Sequence, residues 1–295
     1  MLIHSIYWPI TAGLLVFANL ASASEDDNGV ASYAIDMTAR VASDIRTRGV
    51  SDSLNKPGAK FTVQLAHESG FVALAEFTTV SKKQFLEGDG ASVLLAGGYR
   101  FGDPEAWHFG LGYAAELFPS AQFQAPQKFD FQNFTPTDEH STNYNGQFAV
   151  LEIGYGALEG RIAQIVSKTY RGANTGGVCG AMLQYASDPT KALKCYARGD
   201  QNSRGSMLFD LDYRYQLARH TSMKLHAGHQ YIANFSEAAI TDYGIGVIQR
   251  QWGFDWGVDW VSPHTKAREL YLAQDGEHTR ATDENQWVFS VSRTF

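Results

Sequence analysis

The stretch Trp252-Gly253-Phe254-Asp255-Trp256-Gly257-Val258-Asp259-Trp260 alternates a large apolar side chain with glycine or aspartate over nine residues. Successive side chains of a strand point to opposite faces, so this pattern describes a strand with one aromatic and one polar face. The same period of two recurs along the chain. Tyr33, Ile35, Met37, Ala39 and Val41 oppose Asp36, Thr38 and Arg40; Phe61, Val63 and Leu65 oppose Lys60, Thr62 and Gln64. Trp107, Phe109, Leu111 and Tyr113 oppose His108, Gly110 and Gly112, and Phe209, Leu211, Tyr213 and Tyr215 oppose Asp210, Asp212 and Arg214. We read 12 such segments, centred near residues 38, 63, 74, 96, 112, 151, 165, 211, 226, 245, 256 and 290. The third and seventh alternate poorly, because Val72, Leu74, Ile162 and Val166 interrupt the pattern.

Connections between these segments sort by length. Short ones at 68–70, 102–106, 157–160, 218–221 and 249–251 alternate with long ones at 47–58, 80–90, 118–145, 171–204, 232–240 and 262–285. A soluble sandwich has no reason to sort its loops by parity, whereas an up-and-down barrel in an outer membrane does so, with tight periplasmic turns and long surface loops. The expected fold is therefore all-β, an antiparallel transmembrane barrel of about 12 strands, which is also how strands cross lipid without exposed edges.

Composition agrees. The chain of 295 residues carries 24 Lys and Arg against 31 Asp and Glu, a net charge of −7, which argues against a nucleic-acid partner. It is rich in Gly (28) and in Phe, Tyr and Trp (18, 14 and 6), the residues of lumen walls and interfacial girdles. Residues 1–23 read as a signal peptide: an apolar core from Ile10 to Leu20 precedes Ala21-Ser22-Ala23, the small-x-small pattern of a cleavage site. The alternative, a permanent anchor, would need a longer apolar span. The barrel is assigned to 24–295, in the outer membrane of a Gram-negative bacterium, among lipid and lipopolysaccharide.

In a barrel the aromatic faces meet lipid and the charged faces meet the lumen. The expected pore-lining set is Asp36, Arg40, Lys60, Arg100, His108, Glu116, Glu152, Asp210, Asp212, Arg214, Lys224, His226, Asp255 and Asp259. These charges either line a wet path for small hydrophilic solutes or pair across strands and close the interior. Arg100, alternating with Leu94 and Gly98 near the periplasmic mouth, is the natural selectivity probe. Arg214 is the expected neutraliser of Asp210 and Asp212, four and two residues before it on the same face.

The segment Ser43-Asp44-Ile45-Arg46-Thr47-Arg48-Gly49-Val50-Ser51, followed by Lys56-Pro57, resembles the opening signature of the TorF family of proteobacterial porins. Glu68-Ser69-Gly70-Phe71, Gly97-Gly98-Tyr99 and the closing Val288-Phe289-Ser290-Val291-Ser292-Arg293-Thr294-Phe295 resemble later blocks of that family. The resemblance implies an outer-membrane channel and carries no solute with it.

Other constellations are weaker. His67-Glu68-Ser69 and His220-Thr221-Ser222 each place a histidine and a serine on one face of a strand, as a lipid hydrolase could use, but neither has an evident third partner. A hydrolase, or a closed structural or adhesin-like barrel, are the alternatives to a channel. Asp255 and Asp259 stand too far apart along one strand for one ion, and His226 and His229 fall on opposite faces, so no metal or other cofactor is expected. Cys179 and Cys195 share one long loop and are expected to form a disulfide, the alternatives being free thiols or half of a zinc site. Trp287, Phe289, Val291 and Phe295 form the aromatic face of the last strand, the feature that barrel-assembly machinery reads in barrels of this class.

Overall fold

Alternating strands bury one face only if they curl around it, and here they close completely. The computed structural model describes residues 33–295; the expected leader, 1–23, lies outside the described residues. The barrel strands are β1 (Tyr33–Ala42), β2 (Gly58–His67), β3 (Phe71–Thr79), β4 (Ala91–Gly102), β5 (Trp107–Leu117), β6 (Gly146–Tyr155), β7 (Leu158–Ile165), β8 (Met207–Ala218), β9 (Thr221–Tyr231), β10 (Ile240–Gln251), β11 (Phe254–Thr265) and β12 (Gln286–Thr294). Each pairs antiparallel with its neighbours in chain order, and β1 pairs with both β2 and β12, closing the ring. Closure leaves no unpaired barrel edge.

The outer surface is apolar. Leu95, Leu111, Leu151, Ile153, Leu211, Ile245 and Val247 are exposed on it. Aromatics flank this belt: Tyr33, Tyr99, Phe101, Trp107, Tyr155 and Tyr215 near the short turns, and Phe77, Tyr113, Tyr231, Tyr243 and Trp287 toward the long loops. This is the profile of a lipid-facing wall with two interfacial girdles. Arg293, also on the outer face, lays its guanidinium over the rings of Phe295 (5.1 Å) and Phe254 (5.6 Å). Phe295 is exposed and donates its N–H to Met37 at the seam.

Several strands depart from expectation. β10 runs through Gln251, so the tight turn expected at 249–251 falls on Trp252-Gly253, both at positive φ, and the run read from Trp252 becomes strand only at Phe254. β7 spans Leu158–Ile165 rather than centring on 165, with Glu159, Arg161, Ala163 and Ile165 inward. β11 runs on to Thr265, four residues past the expected end of its segment. In β3 the inward residues are Val72, Leu74, Glu76 and Thr78. Their alternation looked broken because one wall of the interior is itself apolar. Val72, Leu74, Leu94, Phe148, Ile165 and Leu208 join a cluster with Tyr170, Val178, Met182 and Tyr196 from the loops.

Those loops cover the wide rim. A hairpin, Gln122–Asp130 with Thr135–Asn143, stands beside helices α1 (Thr175–Tyr185) and α2 (Pro189–Tyr196). Cys179 and Cys195 are joined, Cα to Cα 5.4 Å, stapling the helices together. Asp275 gathers three other points of the rim, accepting from Lys56 and Lys83 and pairing with Arg280; the Lys83 ammonium, then Lys56, hold its carboxyl down at about 2. The staple closes a short loop, worth about 3 kcal/mol in the chain-entropy account. Replacing both cysteines by serine should leave the barrel's heat-modifiability intact while making residues 166–206 the first site of limited proteolysis.

The first long loop behaves differently from the others. Expected at the surface, it turns into the barrel: Arg48, Ser51, Asp52 and Leu54 are all buried.

Candidate lumen constriction

Within that loop, Arg46-Thr47 and Val50-Ser51 form a two-rung antiparallel hairpin around Arg48-Gly49. Both turn residues have positive φ, +55° and +72°, as a two-residue turn of the tight hairpin type demands. Gly49 is needed twice over, because a Cβ there would also stand 2.8 Å from the Pro263 Cβ. Holding Arg48 left-handed costs about 1–2 kcal/mol. The return is a buried bidentate pair: Arg48 Nη1 donates to Asp210 Oδ1 (2.5 Å) and Nη2 to Oδ2 (2.8 Å), with a third bond to the Phe209 carbonyl (2.9 Å).

From Asp210 a chain of alternating charge runs along the inner wall, from β8 through β7 and β6 to β4. Arg161 approaches Asp210 (3.6 Å) and donates to Glu152 (3.2 Å), and Arg100 donates to the other oxygen of Glu152 (3.3 Å). On the loop side Arg171 holds Asp52 of the hairpin segment (2.8 Å) and Glu116 (2.6 Å). Round the rest of the wall, Lys60 pairs with Glu76 (2.7 Å), Lys224 with Asp259 (2.7 Å), Arg40 with Asp259 (3.7 Å), and His226 with Asp212 (2.8 Å) and Asp242 (3.0 Å). Asp255 pairs with Arg250 (2.8 Å), and Asp36 faces inward near the short-turn rim. All fourteen residues singled out from the sequence sit on inward positions of their strands.

Two expectations need correction. Asp210 is neutralised by Arg48 and Arg161, and Asp212 by His226, rather than by Arg214; cross-strand partners stand directly opposite, whereas residues two apart on one strand point away in parallel. Arg100 is bound to Glu152, so reversing it to Glu would set two carboxylates together and confound charge with a broken pair. The sequence reading also missed Arg48, Glu76, Glu159, Arg161, Arg171 and Asp242. Arg48 lay in an apparent surface loop, and the strands carrying Glu76, Glu159 and Arg161 alternate poorly.

A chamber of about 110 Å³ lies between the hairpin and the wall made by β1, β2 and β8–β11. Arg40, Lys60, Arg214, Lys224, Asp212 and Asp259 line it. Glycine makes room elsewhere on the inner wall. His108 is wholly buried and bonded through Nε2 to Glu159 (2.7 Å), and a Cβ on Gly154 would stand 2.1 Å from that same nitrogen. Gly154→Ala should therefore eject the imidazole and cost about 1–3 kcal/mol, seen as a lower temperature of the heat-modifiability transition.

The histidine–serine pairs read as turn structure. His67 Nδ1 lies 2.7 Å from Ser69 Oγ but also accepts the Ser69 backbone N–H (3.1 Å), and its buried Nε2 has no hydrogen-bond partner to orient it as a base. His140-Ser141 in the loop hairpin offers no such pair either: His140 is exposed beside Asp138, and Ser141 donates to the Gln122 side chain.

No curated protein matches the chain. Among solved structures it is similar to the KdgM porin (7% identity, 88% of this chain and 99% of that one, TM-score 0.45). It is also similar to an outer-membrane channel from Pseudomonas putida F1 (11%, 95% and 100%, TM-score 0.39). Outer membrane phospholipase A from Escherichia coli is a third likeness (12%, 88% and 94%, TM-score 0.35). Scores of this size bring no solute or activity across, and the barrel assignment rests on the closed ring of strands. A family model spanning residues 26–295 does match, and by it the chain belongs to the Gcw_chp family, described as bacterial protein of unknown function.

Proposed function

We propose that the protein is an outer-membrane channel for small hydrophilic solutes, narrowed by the inward hairpin Arg46–Ser51. The observation that carries this is the pairing of an apolar outer belt with a charged inner wall in one closed ring. Paired charges can also close a barrel, yet a chamber of about 110 Å³ stays open between the hairpin and the charged wall. Here one side of the lumen holds rows of ionised groups, which are costly to bury unless paired or wet. Residues 1–23 are the export signal in this reading, and the last strand is what the assembly machinery grips.

Burial of the Arg48–Asp210 pair favours a second reading, a barrel closed by its own hairpin. Planar-bilayer recording of the refolded protein separates the two. Discrete conductance steps support the channel. A properly folded barrel that stays silent, both intact and with the hairpin excised, would leave only the structural role.

A further inference from the structure

On the loop side of the hairpin lies a larger cavity, about 540 Å³, within the range of small-molecule sites. Phe123 and Tyr144 (ring centroids 5.3 Å apart) and Tyr185 of α1 give it aromatic faces, and Gln84, Gln124 and Gln184 give it side-chain amides. Its bordering charges are already engaged. Arg48 is held by Asp210, Arg171 by Asp52 and Glu116, and Lys83 by Asp275. The start of α1 is engaged too: Gly176 N–H donates to Gln127 Oε1 (2.9 Å), Gly177 N–H to Asn174 Oδ1 (2.8 Å) and Thr175 N–H to the Gln201 carbonyl (3.2 Å). Burial pushes the Tyr144 hydroxyl up to about 12, so it stays uncharged. The lining's open polar groups are the side-chain amides of Gln124 and Gln184, both exposed and neither bonded among the described residues.

An anion would find no uncommitted cation or helix end here. A hydrocarbon would strip water from the Gln124 and Gln184 amides and put nothing in its place, at a cost that buried polar groups normally avoid. What fits is a ligand with apolar C–H faces to lie on rings and hydroxyls to meet amides. We propose that this cavity is a binding site for an uncharged, polyhydroxylated solute, an oligosaccharide of a few units. The proposal deepens the channel reading, resting on it for the direction of traffic but not for binding itself.

Isothermal titration of the full chain, refolded in detergent, against maltotriose, lactose, glucuronate and glucosamine tests it. At least one neutral sugar should bind saturably and more tightly than either charged one. Gln184→Glu, which keeps shape and adds charge, and Tyr185→Ala should each weaken that binding by about tenfold or more, the weight of one lost hydrogen bond or ring contact, with heat-modifiability unchanged. No saturable binding of either neutral sugar, tighter binding of glucuronate or glucosamine, or variants indistinguishable from wild type would overturn it. Sugar binding retained by a protein that is silent in bilayers would uphold the site and remove the channel reading alone.

Discussion

Replacing Arg46–Ser51 with a short flexible link should raise single-channel conductance severalfold over the intact protein. The hairpin stands inside the ring, docked on the β8–β11 wall, with its turn against Pro263 and Asp242 and its guanidinium on Asp210 in the same register row. Removing it joins the 110 Å³ chamber to the loop-side cavity, since Arg48 lines both. The barrel wall contributes its own ladder of bonds and should survive, so the excised protein should still shift on heating in a gel. Unchanged conductance in that folded variant would show that the narrowest point lies elsewhere.

Asp210→Ala should be the most destabilising single substitution in the lumen. It strands Arg48 and weakens the hold on Arg161, both buried. Removing one partner of a buried ion pair costs about 3–5 kcal/mol, because the remaining charge has lost both water and counter-charge. Urea unfolding in detergent reads the loss directly. The double variant Arg48→Ala, Asp210→Ala should recover part of it, as the stranded cation is then gone. Additive losses would mean that the two side chains act independently despite their contact.

Much of the barrel was legible because its outer wall must be apolar and its strands straight. The run Trp252–Trp260 and the face of β5 follow strict alternation, and the parity of loop lengths gives direction to the chain. β7 was misplaced because Ala163 and Ile165 face inward against the Tyr170 cluster, so apolar side chains occur on both its faces. With β7 shifted, Glu159 was lost as the partner of His108, although His108 itself could be placed. The constriction was out of reach for another reason. The segment around Arg48-Gly49 was conspicuous as a motif, yet its meaning depends on Asp210, 162 residues away. Period-two patterning reports which face a side chain is on, and says nothing of which loop returns to the interior.

The seam between β1 and β12 sets an order in time. Thr38 and Thr294, hydrogen-bonded hydroxyl to hydroxyl at 2.9 Å, are 256 residues apart in the chain. Contacts so distant in sequence form late, since the loop must close before they contribute anything. Until then β1 and β12 are open edges, and the inward charges stand in water rather than against one another. The hairpin that follows β1 emerges early in synthesis, but Asp210, Asp242 and Pro263 are made long after it. Arg48 therefore waits for most of the chain before it can dock, so that narrowing of the lumen and closing of the ring belong to the same final stage of assembly.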